Sequence, residues 1–180
     1  MLTQNASKRT DMDQFLRDFH ENGFVQLSEP GLLDLIKIDE FKLLNVEERL
    51  RDNGEKDVSP ELTKRLKSAA VYLQTKYLDE HFKNPKLTKF LVWQGVDYDN
   101  RNWHTDCFEG MDLFFLFYYD TMSEETKGGI EFRAGDRYWT VYPKAGDLFL
   151  VNNARGFFHR AQACDILRRV SSFDFVVDDE

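Results

Sequence analysis

The spacing of apolar residues changes character near residue 88. Before it, spacings of three and four dominate. Leu62, Leu66, Ala69, Leu73 and Tyr77 form one stripe, opened by Ser59-Pro60. A hydroxyl N-cap followed by proline is a helix start, because the first helical position has no use for an N–H. The stripe predicts a helix to about His81, ended by Asn84-Pro85. Thr10 and Asp13 resemble a capping pair ahead of Phe15, Leu16 and Phe19, and Gly23 fits a helix stop. Leu32 to Leu50 predicts one or two amphipathic helices between the Pro30-Gly31 break and the Asn53-Gly54 turn. Phe24 to Leu27 is a short strand.

After residue 88 the apolar runs are short, with turn signals between them. Phe90 to Trp93, Leu113 to Tyr119, Ile130 to Phe132, Tyr138 to Tyr142, Asp147 to Val151 and Val170 to Val177 all predict strands. Leu113 to Tyr119 is apolar almost throughout, which predicts a strand covered on both faces. Helices followed by many short strands give an α+β class. The expected architecture is a double-stranded β-helix (jelly-roll) core buttressed by N-terminal helices. One domain over residues 1–180 is expected, with 1–87 as mainly helical support and 88–177 as the core.

Composition narrows the classes. The 180 residues are 42% hydrophobic and include 16 Phe, enough for a packed core rather than a disordered chain. Ten of those Phe lie at or after Phe108. The two cysteines, Cys107 and Cys164, are too few for a disulfide scaffold and read as thiols of a reducing compartment, so the expected location is cytoplasmic. No apolar run suits a membrane span, and no membrane partner is expected. A net charge of −8 disfavours a mainly electrostatic nucleic-acid binder. That acidity is uneven. Lys127 to Arg169 carries eight Lys+Arg against four Asp+Glu, a local +4 suited to an anionic ligand. Arg133, Arg137, Arg155 and Arg160 lie in this stretch and could line a phosphate groove, or be solvated surface.

The chemistry sits in the second half. In Trp103-His104-Thr105-Asp106, His104 and Asp106 are two apart, so on an extended segment both side chains point the same way. His159, which follows the Leu148 to Val151 strand by a short polar loop, could supply a third ligand. Two imidazoles and a carboxylate make a facial triad that leaves positions open on Fe(II). The alternative is a His–Asp hydrogen bond at a strand end. Arg169 and Ser171 share one face of the last strand, where a guanidinium and a hydroxyl would receive a carboxylate.

The order His-x-Asp, Gly-Gly-Ile-Glu-Phe, Pro-x-x-Gly-Asp-Leu-Phe-Leu, His and Arg-x-Ser resembles the Fe(II)/2-oxoglutarate-dependent dioxygenases over residues 90–177. The 52 residues between Asp106 and His159 are most similar to the prolyl-hydroxylase-like branch. The resemblance implies His104, Asp106 and His159 as iron ligands. It implies Arg169, beside Ser171, as the anchor for the distal carboxylate of 2-oxoglutarate, with Arg168 as its rival, and Tyr119 as a further co-substrate contact. It also implies oxidative decarboxylation of 2-oxoglutarate with dioxygen, coupled to hydroxylation of a protein side chain of the prolyl type or of a small amino-acid-like substrate. A nucleic-acid demethylase or hydroxylase of the same superfamily, or a jelly-roll metal-binding module without turnover, are the alternatives. Gln94 is a candidate for the metal pocket, and Asn152, Asn153 and Arg155 resemble the polar loop some relatives carry before the distal histidine. Cys107 adjoins the ligand loop. The loops Asp97 to Asn102 and Asp120 to Gly128 are candidate lids whose acidic residues would favour a cationic or neutral substrate.

Overall fold

The computed structural model describes residues 14–40, 50–51, 59–95, 102–106 and 112–178. The Thr10–Asp13 capping pair, the Asn53-Gly54 turn, Cys107 and most of the 97–102 loop lie outside them.

Helix α1 (residues 14–22) ends at Gly23, whose φ of 80° suits glycine. A Cβ there would also collide with the Phe157 side chain, at 2.3 Å. Strand β1 (Phe24–Ser28) follows, then α2 (Gly31–Ile36) and a 3-10 turn (Ile38–Glu40). The Leu32 to Leu50 stretch is therefore not helical to its end. Leu50–Arg51 is a two-residue strand, β2, paired with the later strand Lys86–Gly95. Helix α3 (Pro60–Leu73) starts as its sequence predicts, with the Ser59 hydroxyl accepting from the Leu62 N–H at 3.1 Å. A π-helical turn (Gln74–Leu78) finishes it.

The remaining strands are β3 (Lys86–Gly95), β4 (Leu113–Tyr118), β5 (Ile130–Ala134), β6 (Arg137–Val141), β7 (Asp147–Asn152), β8 (Phe157–Ala161) and β9 (Arg168–Val176). They form two antiparallel sheets. The larger runs β1-β7-β4-β9-β3-β2 and the smaller β6-β5-β8.

The two-residue period of each strand sorts its side chains between two cores. On one face of the larger sheet, Phe115, Phe117, Tyr119, Phe173 and Phe175 pack with Phe15, Phe19, Leu62, Leu66 and Leu73 of the helices. On the other face, Phe114, Leu116, Tyr118, Phe149, Val151 and Val170 pack with Ile130 and Phe132 of the smaller sheet. This double covering explains why every residue of β4 is buried. Phe24 stacks on Phe132 at 3.9 Å, tying β1 to the smaller sheet.

Candidate metal centre

The inner face of the smaller sheet carries the chemistry. His159 lies in the middle of β8, the strand that follows the short loop after β7, in register with Phe132. The sequence obscures this strand because Phe157 and Phe158 place aromatic rings on both of its faces, so the alternation of polar and apolar residues is lost. The signal available was Gly156 followed by two aromatics, a turn and then β-favouring residues.

His104 extends this sheet by one further step. Its N–H donates to the His159 carbonyl at 3.2 Å, and the His159 N–H returns the bond at 3.0 Å. This reciprocal pair sets the two imidazoles side by side, with ring centroids 4.3 Å apart. Asp106, two residues on, reaches the same point. Its carboxylate lies 3.3 Å from His159 Nε2 and 3.9 Å from His104 Nε2. One ligand atom from each of the three residues falls within 4.8 Å of the other two.

Protonation suits metal binding. His104 Nδ1 is 2.9 Å from the Asn102 carbonyl, which only accepts, so Nδ1 is the donor and Nε2 is the nitrogen turned to the metal position. Burial pushes the His159 imidazole down, towards its neutral form. Burial works to raise the Asp106 carboxyl, but the hydrogen bond with His159 and the charges of His159, His104 and Lys89 hold it below the usual range. Neutral imidazoles and an ionised carboxylate are the forms that bind metal. This nitrogen and oxygen donor set fits Fe(II).

Two supports hold the ligands. Asn153, 6% exposed just past β7, donates from Nδ2 to the Asp106 carbonyl at 2.8 Å, while its backbone N–H donates to the Asp112 carbonyl at 3.0 Å. It thereby ties the ligand loop to the start of β4. Trp103 lies under the guanidinium groups of Arg160, at 4.5 Å, and Arg133, at 5.2 Å. This stack fixes the residue preceding His104 on the outer face of the smaller sheet. Arg137 lies over Trp139 and bonds Asn22 and the Glu21 carbonyl. These three arginines are thus engaged in packing, and Arg155 is an exposed residue.

The residues expected around the co-substrate divide between the two faces of the larger sheet. Arg169, Ser171 and Tyr119 are not brought to the triad. They lie on the face turned to the helices, where Tyr119 Oη and Ser171 Oγ are 2.6 Å apart. Arg169 grips Asp120, with Nε at 3.0 Å and Nη2 at 2.6 Å, and also bonds Asp39. The hydrogen bonds it donates to Asp120 raise its already high pKa. Gln94 is in register with Arg169 and shares that face.

The rival arginine lies one step along the strand. Arg168, 2% exposed, shares the inner face with Val170, and Val170 pairs with Tyr118. Arg168 Nη1 donates to the carbonyls of Gln162, at 2.7 Å, and Gly128, at 3.3 Å. Its charge acts on Tyr118, whose hydroxyl is pushed up to about 12 by burial and so stays a donor at neutral pH. Tyr118 and Arg168, each one residue before Tyr119 and Arg169, thus lie on the inner face, where Arg169 and Tyr119 do not. Of the other polar-loop candidates, the Asn152 side chain accepts from the Ala154 N–H.

No family model matches the sequence, and no curated protein sequence matches it. Solved structures do match the fold. A 2-oxoglutarate-Fe(II) oxygenase family oxidoreductase from Burkholderia pseudomallei aligns over 91% of this chain and 89% of its own, at a TM-score of 0.68 and 13% identity. A prolyl hydroxylase from Trichoplax adhaerens, solved with a peptide fragment of the hypoxia inducible factor oxygen degradation domain, aligns over 97% and 93%, at 0.58 and 13%. A prolyl 4-hydroxylase from Phytophthora capsici aligns over 91% of this chain at 0.63 and 14% identity, and this chain spans 62% of its length. The mixed helix and antiparallel-sheet fold is the one these oxygenases share. No helix among the described residues is long and apolar enough to cross a membrane.

Proposed function

We propose that this chain is an Fe(II)- and 2-oxoglutarate-dependent dioxygenase that hydroxylates a C–H bond of a peptide or amino-acid-like substrate. The observation that carries the reading is the convergence of His104, Asp106 and His159 from two segments onto one point between the sheets. In this reading the facing sheets are the two halves of a jelly roll, and the chain forms a single oxygenase domain. The neighbour with a peptide bound supports a peptide substrate for this chain.

Iron held here supplies the redox chemistry that couples decarboxylation of 2-oxoglutarate by dioxygen to substrate hydroxylation. The chain's own residues do the rest. His104, whose Nδ1 donates to the Asn102 carbonyl, would hold the metal together with Asp106 and His159. Arg168 takes the distal carboxylate of 2-oxoglutarate by a charge-assisted hydrogen bond, and Tyr118 donates a second. Phe114, whose ring centroid is 5.3 Å from that of His159, joins Leu116, Phe149 and Val170 in excluding water.

The test is release of carbon dioxide from carboxyl-labelled 2-oxoglutarate by protein loaded with Fe(II). Metal-dependent release that disappears in His159→Ala is the expected result. Equal release with and without metal, or none with protein that has bound Fe(II) and 2-oxoglutarate, would reject the reading.

A further inference from the structure

The wall of the larger sheet that faces the triad is largely apolar, with Leu91, Leu116, Val170, Phe114 and Phe149. Its polar groups collect at the two ends of β9. Arg168 and Tyr118 form one end. The other holds Asp174 and Ser172 of β9 with Lys89 of β3, a group the reaction above does not use.

Register places this group opposite the metal ligands. Asp174 pairs with Phe114 on one side and Lys89 on the other, so all three share the inner face. Phe114 is the residue whose ring packs on His159. Asp174 is 3% exposed, bonded by the Ser172 hydroxyl, and 4.0 Å from Lys89 Nζ. The Lys89 side chain is one-third exposed, so the pair reaches from the buried wall outward. Electrostatics agree with the distances. Burial first, and the Asp106 charge as well, push the Asp174 carboxyl up, and the Lys89 charge acts on Asp106 in turn.

A carboxylate beside an aromatic wall and a second carboxylate is costly, and an apolar residue would pack there at lower cost. Departures from local consistency of this kind concentrate at functional sites. The pair offers an acceptor and a cationic donor about one hydrogen-bonded group apart. That pattern complements an α-amino acid unit, which carries an N–H donor and a carbonyl or carboxylate acceptor two bonds apart.

We propose that Asp174 and Lys89 are the substrate-recognising pair of this site, taking the nitrogen and the carbonyl or carboxylate of an α-amino acid unit. The proposal rests on the oxygenase reading and names its substrate class. A free amino acid would present an ammonium and a carboxylate. A peptide would present an amide N–H and a carbonyl.

The experiment uses the full chain loaded with Mn(II) and N-oxalylglycine, an inert 2-oxoglutarate analogue. Calorimetry measures binding of the free L-amino acids in one arm and of their N-acetyl, N'-methylamide derivatives in the other. Binding in at least one arm is expected, weakened tenfold or more in Asp174→Asn and in Lys89→Met, with Mn(II) affinity within twofold of the parent. Binding confined to the first arm identifies a free amino acid, and binding in the second a peptide. Lys89→Met, at a partly exposed position, decides the matter if Asp174→Asn does not fold. Unchanged probe affinity in the variants, or no probe binding by protein that holds both Mn(II) and N-oxalylglycine, would overturn the proposal. So would an equal loss of Mn(II) affinity, which would make the pair part of the metal support. Failure to bind Mn(II) and N-oxalylglycine at all would remove the oxygenase reading, and this proposal with it.

Discussion

Arg168 and Arg169 differ by one position on β9, and the period of the strand sends them to opposite faces of the sheet. Their substitutions therefore have separable effects. Arg168→Ala is expected to raise the Kd for 2-oxoglutarate at least tenfold with little change in melting temperature. Arg169→Ala is expected to leave that Kd within twofold and to destabilise the fold by about 2 kcal/mol, because it strands the Asp120 carboxylate. Denaturant unfolding and calorimetry on the two variants check both statements. Asn153 belongs to the same scale. Its amide holds the backbone of a ligand residue and not the ligand atom itself. Asn153→Ala should weaken Mn(II) binding by about tenfold, as loss of outer support does at other metal sites. The residues His104, Asp106 and His159 were legible from type and spacing. The choice between adjacent arginines was not, because it depends on which face each strand turns inward. Only the register with β4 decides that, and pairing between distant strands leaves no local mark.

The elements differ in how openly the sequence declares them. Helix α3 announces itself through Ser59-Pro60 and its apolar stripe, and β4 through its unbroken apolar run. Strand β8 does not, since its outer face is aromatic and cationic to stack on Trp103. The junction of β1 with α3 carries an element-scale prediction. Glu29, buried where β1 ends, accepts from Tyr72 at 2.8 Å and also bonds Lys76 and Tyr77, both on the π-helical turn. Burial opposes its charge, but these three partners hold its carboxyl below the usual range. A depressed carboxyl stabilises the fold above its unfolded pKa, and that gain is lost as pH falls through the folded value. Glu29→Gln should therefore cost about 2 kcal/mol at pH 7, and the deficit should shrink below about pH 4. Unfolding curves at the two pH values check this, and a deficit that grows on acidification would contradict it.

At the scale of the whole molecule, the larger sheet separates two tasks. One face is stapled to the helices by a Phe-rich core, and the other faces the smaller sheet across the site. This division was partly visible in the sequence, as a helical half followed by a strand-rich half. The participation of β1 and β2 in the larger sheet was less so, because their partners lie 40 or more residues away in β7 and β3. The local excess of basic residues is consistent with an anionic co-substrate, although three of its six arginines stack on aromatics, while Arg168 faces inward beside Tyr118. In the proposed oxygenase this face assembles one composite site, in which the triad and Arg168 act on the same ligand. Calorimetric titration of 2-oxoglutarate into Mn(II)-loaded protein tests it most directly. Binding is expected to require the metal, to be abolished by His159→Ala, and to fall at least tenfold in Arg168→Ala but not in Arg169→Ala. Binding of equal strength without metal, or unchanged in Arg168→Ala, would contradict it.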